Sequence, residues 1–129
     1  MPIVDHNTLS ESPWRPNYRK FDITTPGDGT TSSCLSYSFV KTGAGAPLHF
    51  HKDEELIVIL KGELQVKLGN ETQRAKHNHT LVIPSNLPHA FTNLGPEEAT
   101  ILVFFPVSNP FDHTTYLEGV PPERHKNKS

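Results

Sequence analysis

The sequence predicts an all-β fold, and three observations carry that prediction. Twelve prolines and eight glycines in 129 residues disfavour long helices and favour short strands joined by turns. Apolar and polar residues alternate with period two at Leu35, Tyr37 and Phe39 and again at Leu64, Val66 and Leu68, the pattern of half-buried strands. One unbroken apolar run, Ile101-Leu102-Val103-Phe104-Phe105, is short enough for a strand buried on both faces. The length suits one domain with a single core.

The elements follow in order. Residues 1–30 hold four prolines and scattered aromatics (Trp14, Tyr18, Phe21), which predicts an N-terminal arm with at most one short strand, folded over its own core or a neighbour's. Pro26-Gly27-Asp28-Gly29 marks a turn at its end. Residues 31–107 form the main body. Its first strand, Ser33 to Val40, places Leu35, Tyr37 and Phe39 on one face and Ser36 and Ser38 on the other. The aromatic face is read as buried, with Tyr37 and Phe39 as cavity candidates. A strand from Glu55 to Leu60 follows, then Gly62, a second strand through Leu68, a Gly69-Asn70 turn and a polar strand through Lys76, together a meander. Residues 108–129 read as an irregular tail, polar and disordered from Glu123.

Within the body, Gly43 to Gly62 holds the chemistry. His49 and His51 are two residues apart, so on a strand both imidazoles leave the same face, with Cα atoms about 7 Å apart. Lys52, Asp53 and Glu54 suit a hairpin connection that returns Glu55 beside them. Two imidazoles and a carboxylate suit Fe, Mn, Ni, Cu or Zn rather than calcium or magnesium. His89, on a different strand between Pro84 and Asn93, adds a fourth candidate ligand. By parity Phe91 and Asn93 share its face, and Phe91, Ile57 and Ile59 are apolar cavity candidates. His77 and His79 repeat the His-x-His spacing in a polar turn and are read as surface residues. His113 and His125 fall in the tail and are not proposed as ligands.

These segments resemble the cupin family. Its first motif, Gly-x5-His-x-His-x(3,4)-Glu-x6-Gly, is met by Gly43, His49, His51, Glu55 and Gly62. Its second, Gly-x5-Pro-x-Gly-x2-His-x3-Asn, is met by Pro84, His89 and Asn93, with Asn78 and Asn86 where the family has glycine. Asn is the non-glycine residue that best tolerates positive φ. The resemblance implies a single cupin β-barrel of jelly-roll type, and a divalent transition metal (Fe, Mn, Ni or Zn) on His49, His51, Glu55 and His89. Glu55 is either a ligand or a base that moves a substrate proton.

Such a set leaves up to two positions on a six-coordinate metal for a small-molecule substrate or dioxygen. The expected function is an Fe(II)-type dioxygenase. The alternatives are a non-redox isomerase or lyase using Mn, Ni or Zn, and a non-catalytic small-ligand-binding cupin. No nucleophile elbow, phosphate loop or dinucleotide fingerprint is present. A net charge of −2 gives no broad basic field for nucleic acid or anionic membrane. With Cys34 as the only cysteine, no apolar run long enough to cross a bilayer and no signal-peptide pattern, the expected location is cytoplasmic. The Ile101–Phe105 run needs cover on its second face, which predicts a homodimer.

Overall fold

A computed structural model describes residues 3–123. His125 and the polar end after Glu123 lie outside the described residues. Eleven strands are present among them: β1 (Glu11–Arg15), β2 (Tyr18–Asp22), β3 (Cys34–Val40), β4 (Gly45–His51), β5 (Glu55–Lys61), β6 (Glu63–Leu68), β7 (Glu71–Lys76), β8 (Thr80–Ile83), β9 (His89–Thr92), β10 (Ala99–Phe105) and β11 (Thr114–Tyr116). They form a six-stranded sheet in the order β1-β2-β3-β10-β5-β8 and a five-stranded sheet in the order β11-β4-β9-β6-β7. The two sheets face each other as a jelly-roll sandwich. Their edges are not hydrogen-bonded into the closed barrel that was expected.

The core lies between the sheets. Ile57 and Ile59 of β5, Ile83 of β8, Ile101 of β10 and Leu64 of β6 are almost fully buried, each burial contributing about 1.5–3 kcal/mol. Along β10, Ala99, Ile101, Val103 and Phe105 point inward, while Thr100, Leu102 and Phe104 are half-buried on the outer face. At one point of that face His6 packs edge-on against Tyr37, with ring centroids 4.9 Å apart.

Four sequence expectations are corrected. First, Gly43 to Gly62 does not fold as a hairpin: β4 pairs with β9 and β11, β5 pairs with β10 and β8, and residues 52–54 carry the chain from one sheet to the other. Gly62, at φ +84°, makes a second crossing between sheets, so only β6 and β7 of the expected meander pair. Second, β3 faces the other way. Ser36, Ser38 and Val40 are buried, and Tyr37 and Phe39 lie on the outer face, where Phe39 packs edge-on against Phe21 at 5.8 Å. The inward Ser36 and Ser38 line a pocket between the sheets, where small side chains leave its space open. Third, residues 1–30 contribute two strands rather than one. Pro16-Asn17 joins them in a two-residue turn with Asn17 at φ +60°, as a type II turn requires of its third residue. Fourth, the tail adds β11 to the edge of β4.

Candidate metal centre and pocket

The crossing between sheets builds the site. His49 and His89 are directly paired across β4 and β9, with ring centroids 4.2 Å apart, and His51 follows two residues along β4. Glu55 begins β5 in the opposite sheet and reaches across the interior. The corner is tied down by the β8–β9 loop: Asn86 N donates to His51 O at 2.8 Å, and the Ser85 hydroxyl donates to Lys52 O. Asn86 and Asn78 both adopt positive φ, +64° and +70°, at the two positions where the family pattern has glycine.

All four side chains are buried, and one ligand atom from each lies within 4.8 Å of the others, close to the span across a first-row ion with bonds of about 2.1 Å. The tautomers are set by the backbone. His49 Nδ1 lies 2.7 Å from Pro47 O, His51 Nδ1 2.7 Å from Asp53 O, and His89 Nδ1 2.7 Å from Leu87 O. A carbonyl only accepts, so each Nδ1 carries a hydrogen and each Nε2 is the nitrogen turned toward the cluster, the orientation a metal ligand needs; His51 Nε2 lies 3.2 Å from Glu55 Oε1, toward which it donates when protonated. His89 Nε2 is buried without a hydrogen-bond partner.

The electrostatics agree with that arrangement. Burial and the neighbouring His89 lower the His49 pKa to about 4, so this imidazole is neutral at pH 7. Burial opposes a charge on Glu55, but His51 and His89 beside it outweigh burial and hold its pKa at about 2. His51 is raised: burial works against its cation, while the Glu55 carboxylate and Asp53 carbonyl prevail. His49 and Glu55 are thus already in the neutral and ionised forms that bind a cation, while His51, favoured as a cation by Glu55, would give up its proton when a metal binds. The residues therefore fit a metal.

The cluster opens on a pocket of about 50 Å³. His49, His51 and Glu55 form one side; Phe91, Val103 and Phe105 form an apolar wall. Ile57 and Ile59 point inward but belong to the core, not the pocket wall. The β1–β2 hairpin supplies Trp14, Arg15, Tyr18 and Lys20, β3 supplies Ser36 and Ser38, and β11 supplies Tyr116, which stacks on His49 at 5.3 Å. Sequence reasoning missed these groups. The Pro16-Asn17 turn signal and the Tyr18/Lys20 parity on β2 were the available clues. Burial raises Tyr18 well above the usual phenol value and pushes Tyr116 up to about 12, so both phenols keep their protons. His77 and His79 are exposed and are not part of the ligand cluster; His79 Nδ1 accepts from Lys76 N at 3.0 Å. His113, in the 3-10 turn Pro110–His113, is not part of the cluster either.

Residues 37–105 match the cupin domain. This chain belongs to the cupin family. The metal-binding geometry is thus that of a cupin with a His-His-Glu-His site. Over 75 residues the chain is 32% identical to the polyketide synthase CurC of Streptomyces cyaneus, a match spanning 57% of this chain and 49% of that one. It is 30% identical over 118 residues to a putative germin-like protein 3-4 of Oryza sativa subsp. japonica, covering 84% of this chain and 52% of that protein. The chain thus spans about half the length of these curated relatives. Among solved structures, the polyketide cyclase RemF from Streptomyces resistomycificus superposes with a TM-score of 0.79 at 19% identity, over 93% of this chain and 87% of that one, a likeness of fold. No helix among the described residues is long and apolar enough to cross a membrane.

Proposed function

We propose that this cupin is a metal-dependent enzyme that enolises a small 1,3-dicarbonyl compound without net redox change. The observation that carries the reading is the presence of two protonated phenols, Tyr18 and Tyr116, in the same pocket as the metal-ligand cluster. The names of CurC and RemF support it, because polyketides are chains of 1,3-dicarbonyl units. A bound divalent metal (Fe, Mn, Ni or Zn) supplies Lewis acidity that acidifies carbon beside a carbonyl. His49, His51, Glu55 and His89 would hold it. Among the described residues Glu55 is the only carboxylate lining the pocket; it takes the proton from the central carbon, a task within reach of a weak base because that carbon is already acidic, and later returns it. Tyr18 and Tyr116 keep their own protons and donate hydrogen bonds to the oxygen on which negative charge develops. Phe91, Val103 and Phe105 exclude water.

The test is deuterium exchange at the central carbon of acetylacetone in D2O, followed by NMR with zinc- or manganese-loaded protein. Exchange well above that of free metal is expected, and it should be lost in Glu55→Gln. A rate no higher than that of the free metal refutes the reading.

A dioxygenase is the second reading. The apolar wall beside a three-His one-Glu set favours it, as does similarity of fold to an oxalate oxidase (TM-score 0.71, 23% identity, over 89% of this chain and 63% of that one). Oxygen uptake by iron-loaded protein with diketones, flavonols or catechols tests it. A homodimer formed through the outer face of the six-stranded sheet, and a reducing cytoplasmic setting consistent with the lone Cys34, complete the proposal.

A further inference from the structure

Two cations of the β1–β2 hairpin line the same pocket as the metal ligands. Lys20 is a lysine with only 6% of its surface exposed. Its Nζ lies 2.7 Å from Asp22 Oδ1 and 5.1 Å from the centre of the Trp14 ring. Asp22 approaches it from outside the pocket, lining a neighbouring cavity. Arg15 extends over the Tyr116 ring at 5.5 Å and donates through Nη1 to Val120 O at 2.5 Å. Its Nε is buried without a hydrogen-bond partner, and no carboxylate among the described residues is within ion-pair distance of it. Glu55, the only carboxylate among the described residues lining the pocket, already faces His51 and His89 at 3.2 Å. Asp22 offsets the Lys20 charge, but Arg15 has no carboxylate partner among the described residues, so holding its charge beside a small, largely apolar pocket carries a desolvation cost. An anion bound between them recovers it.

We infer that Arg15 and Lys20 form a carboxylate-recognising subsite, so that the substrate is a small keto acid. Its carboxylate lies against the two cations while its carbonyl faces the histidine cluster. This rests on the enolisation reading above and narrows its substrate class. Arginine suits the role because its planar fork matches a carboxylate in two hydrogen bonds, and lysine adds a point charge. The pocket's volume restricts the ligand to a few heavy atoms.

The experiment uses the metal-free full chain, so that metal does not itself bind the anion. Trp14 is the only tryptophan and lines the pocket, so its fluorescence reports occupancy. Acetoacetate is titrated against its neutral methyl ester. Acetoacetate should bind about tenfold or more tightly than the ester, with the advantage shrinking as salt is added. Arg15→Gln and Lys20→Met should each weaken acetoacetate about tenfold and leave the ester unchanged. If Lys20→Met does not fold, Arg15→Gln, at a half-buried position, decides the matter alone. Equal affinity for acid and ester, or a preference for the acid that survives in the variants, overturns the inference. Deuterium exchange separates this from the parent reading. Acid-selective binding without exchange keeps the subsite and sinks the enolisation; exchange of acid and ester with equal affinity does the reverse.

Discussion

His89 Nε2 lies 3.2 Å from Glu55 Oε1 but outside good hydrogen-bond geometry, and it is buried from solvent. A buried nitrogen left unsatisfied costs about 1–3 kcal/mol. The cost is removed when a cation takes the lone pair. The chain should therefore bind one divalent metal and gain stability from it: at a free metal concentration 1,000 times Kd the gain is about 4 kcal/mol, on the order of 10 °C in Tm. Elemental analysis and melting with and without chelator check this. Full occupancy in a His51→Ala, His89→Ala double variant would exclude these ligands.

The metal-free site has its own pH signature. His49 is lowered to about 4, so between pH 4 and 6.5 the unfolded chain takes up a proton the folded chain refuses, and stability rises with pH. His51 is raised; its contribution is complete below 6.5 and is lost as pH climbs through the folded value. Glu55, lowered to about 2, contributes above the ordinary carboxylate range and loses that contribution only as pH falls toward 2. These groups together place the stability maximum of the metal-free protein near pH 6.5. Thermal melting across pH tests the maximum, and NMR of the ring nitrogens should show His51 moving to a lower pKa in Glu55→Gln. A His51 that titrates identically in both proteins would remove Glu55 as the cause.

Much of the site was legible in sequence because strand parity is local. His49 and His51 share a face whichever sheet they join, and Asn78 and Asn86 show the positive φ that the family glycines implied. Two other features are global. Alternation on β3 shows that Leu35, Tyr37 and Phe39 oppose Ser36 and Ser38, but which face turns inward depends on what packs there, and the serine face lines the pocket. Likewise nothing local to residues 52–54 separates a hairpin from a step between sheets. Tyr116 was hidden for a different reason: a three-residue strand is too short to show any period.

Asn93 should be structural rather than chemical. It is fully buried and bonds three backbone groups: Nδ2 donates to Val40 O at 2.9 Å and to Glu97 O at 2.7 Å, and Oδ1 accepts from Gly95 N at 2.9 Å. At about 1 kcal/mol per bond, with unsatisfied partners left behind, Asn93→Ala should cost about 3 kcal/mol. Denaturant unfolding measures it. Metal affinity in the folded fraction should be unchanged, and a selective loss of metal would reveal a role at the site.

Removing one phenol tests how the pocket stabilises charge. Tyr18→Phe keeps the ring that packs 6.1 Å from Phe91 and deletes only the donor. Tyr116→Phe likewise keeps the stack on His49. Each should slow metal-dependent exchange on the order of 100-fold with metal content intact. Exchange at the wild-type rate in both variants would take the phenols out of the chemistry.

The outer face of the six-stranded sheet predicts the assembly. Tyr37 and Phe39 of β3, Leu102 and Phe104 of β10 and Val58 of β5 are half-buried on it, and toward its edge Leu60 and Val82 are 46% and 58% exposed. The His6 ring packs on it at Tyr37. A contiguous apolar surface on neighbouring strands is larger than an isolated chain ordinarily leaves in water. A two-fold partner would bury the same patch on both copies. Light scattering after gel filtration should give twice the 14.4 kDa chain mass, and Phe104→Glu, at a half-buried position outside the core, should shift the population to monomer with its metal site retained. A wild-type mass of one chain at high micromolar concentration would mean that the face stands alone, and the dimer proposal would fall.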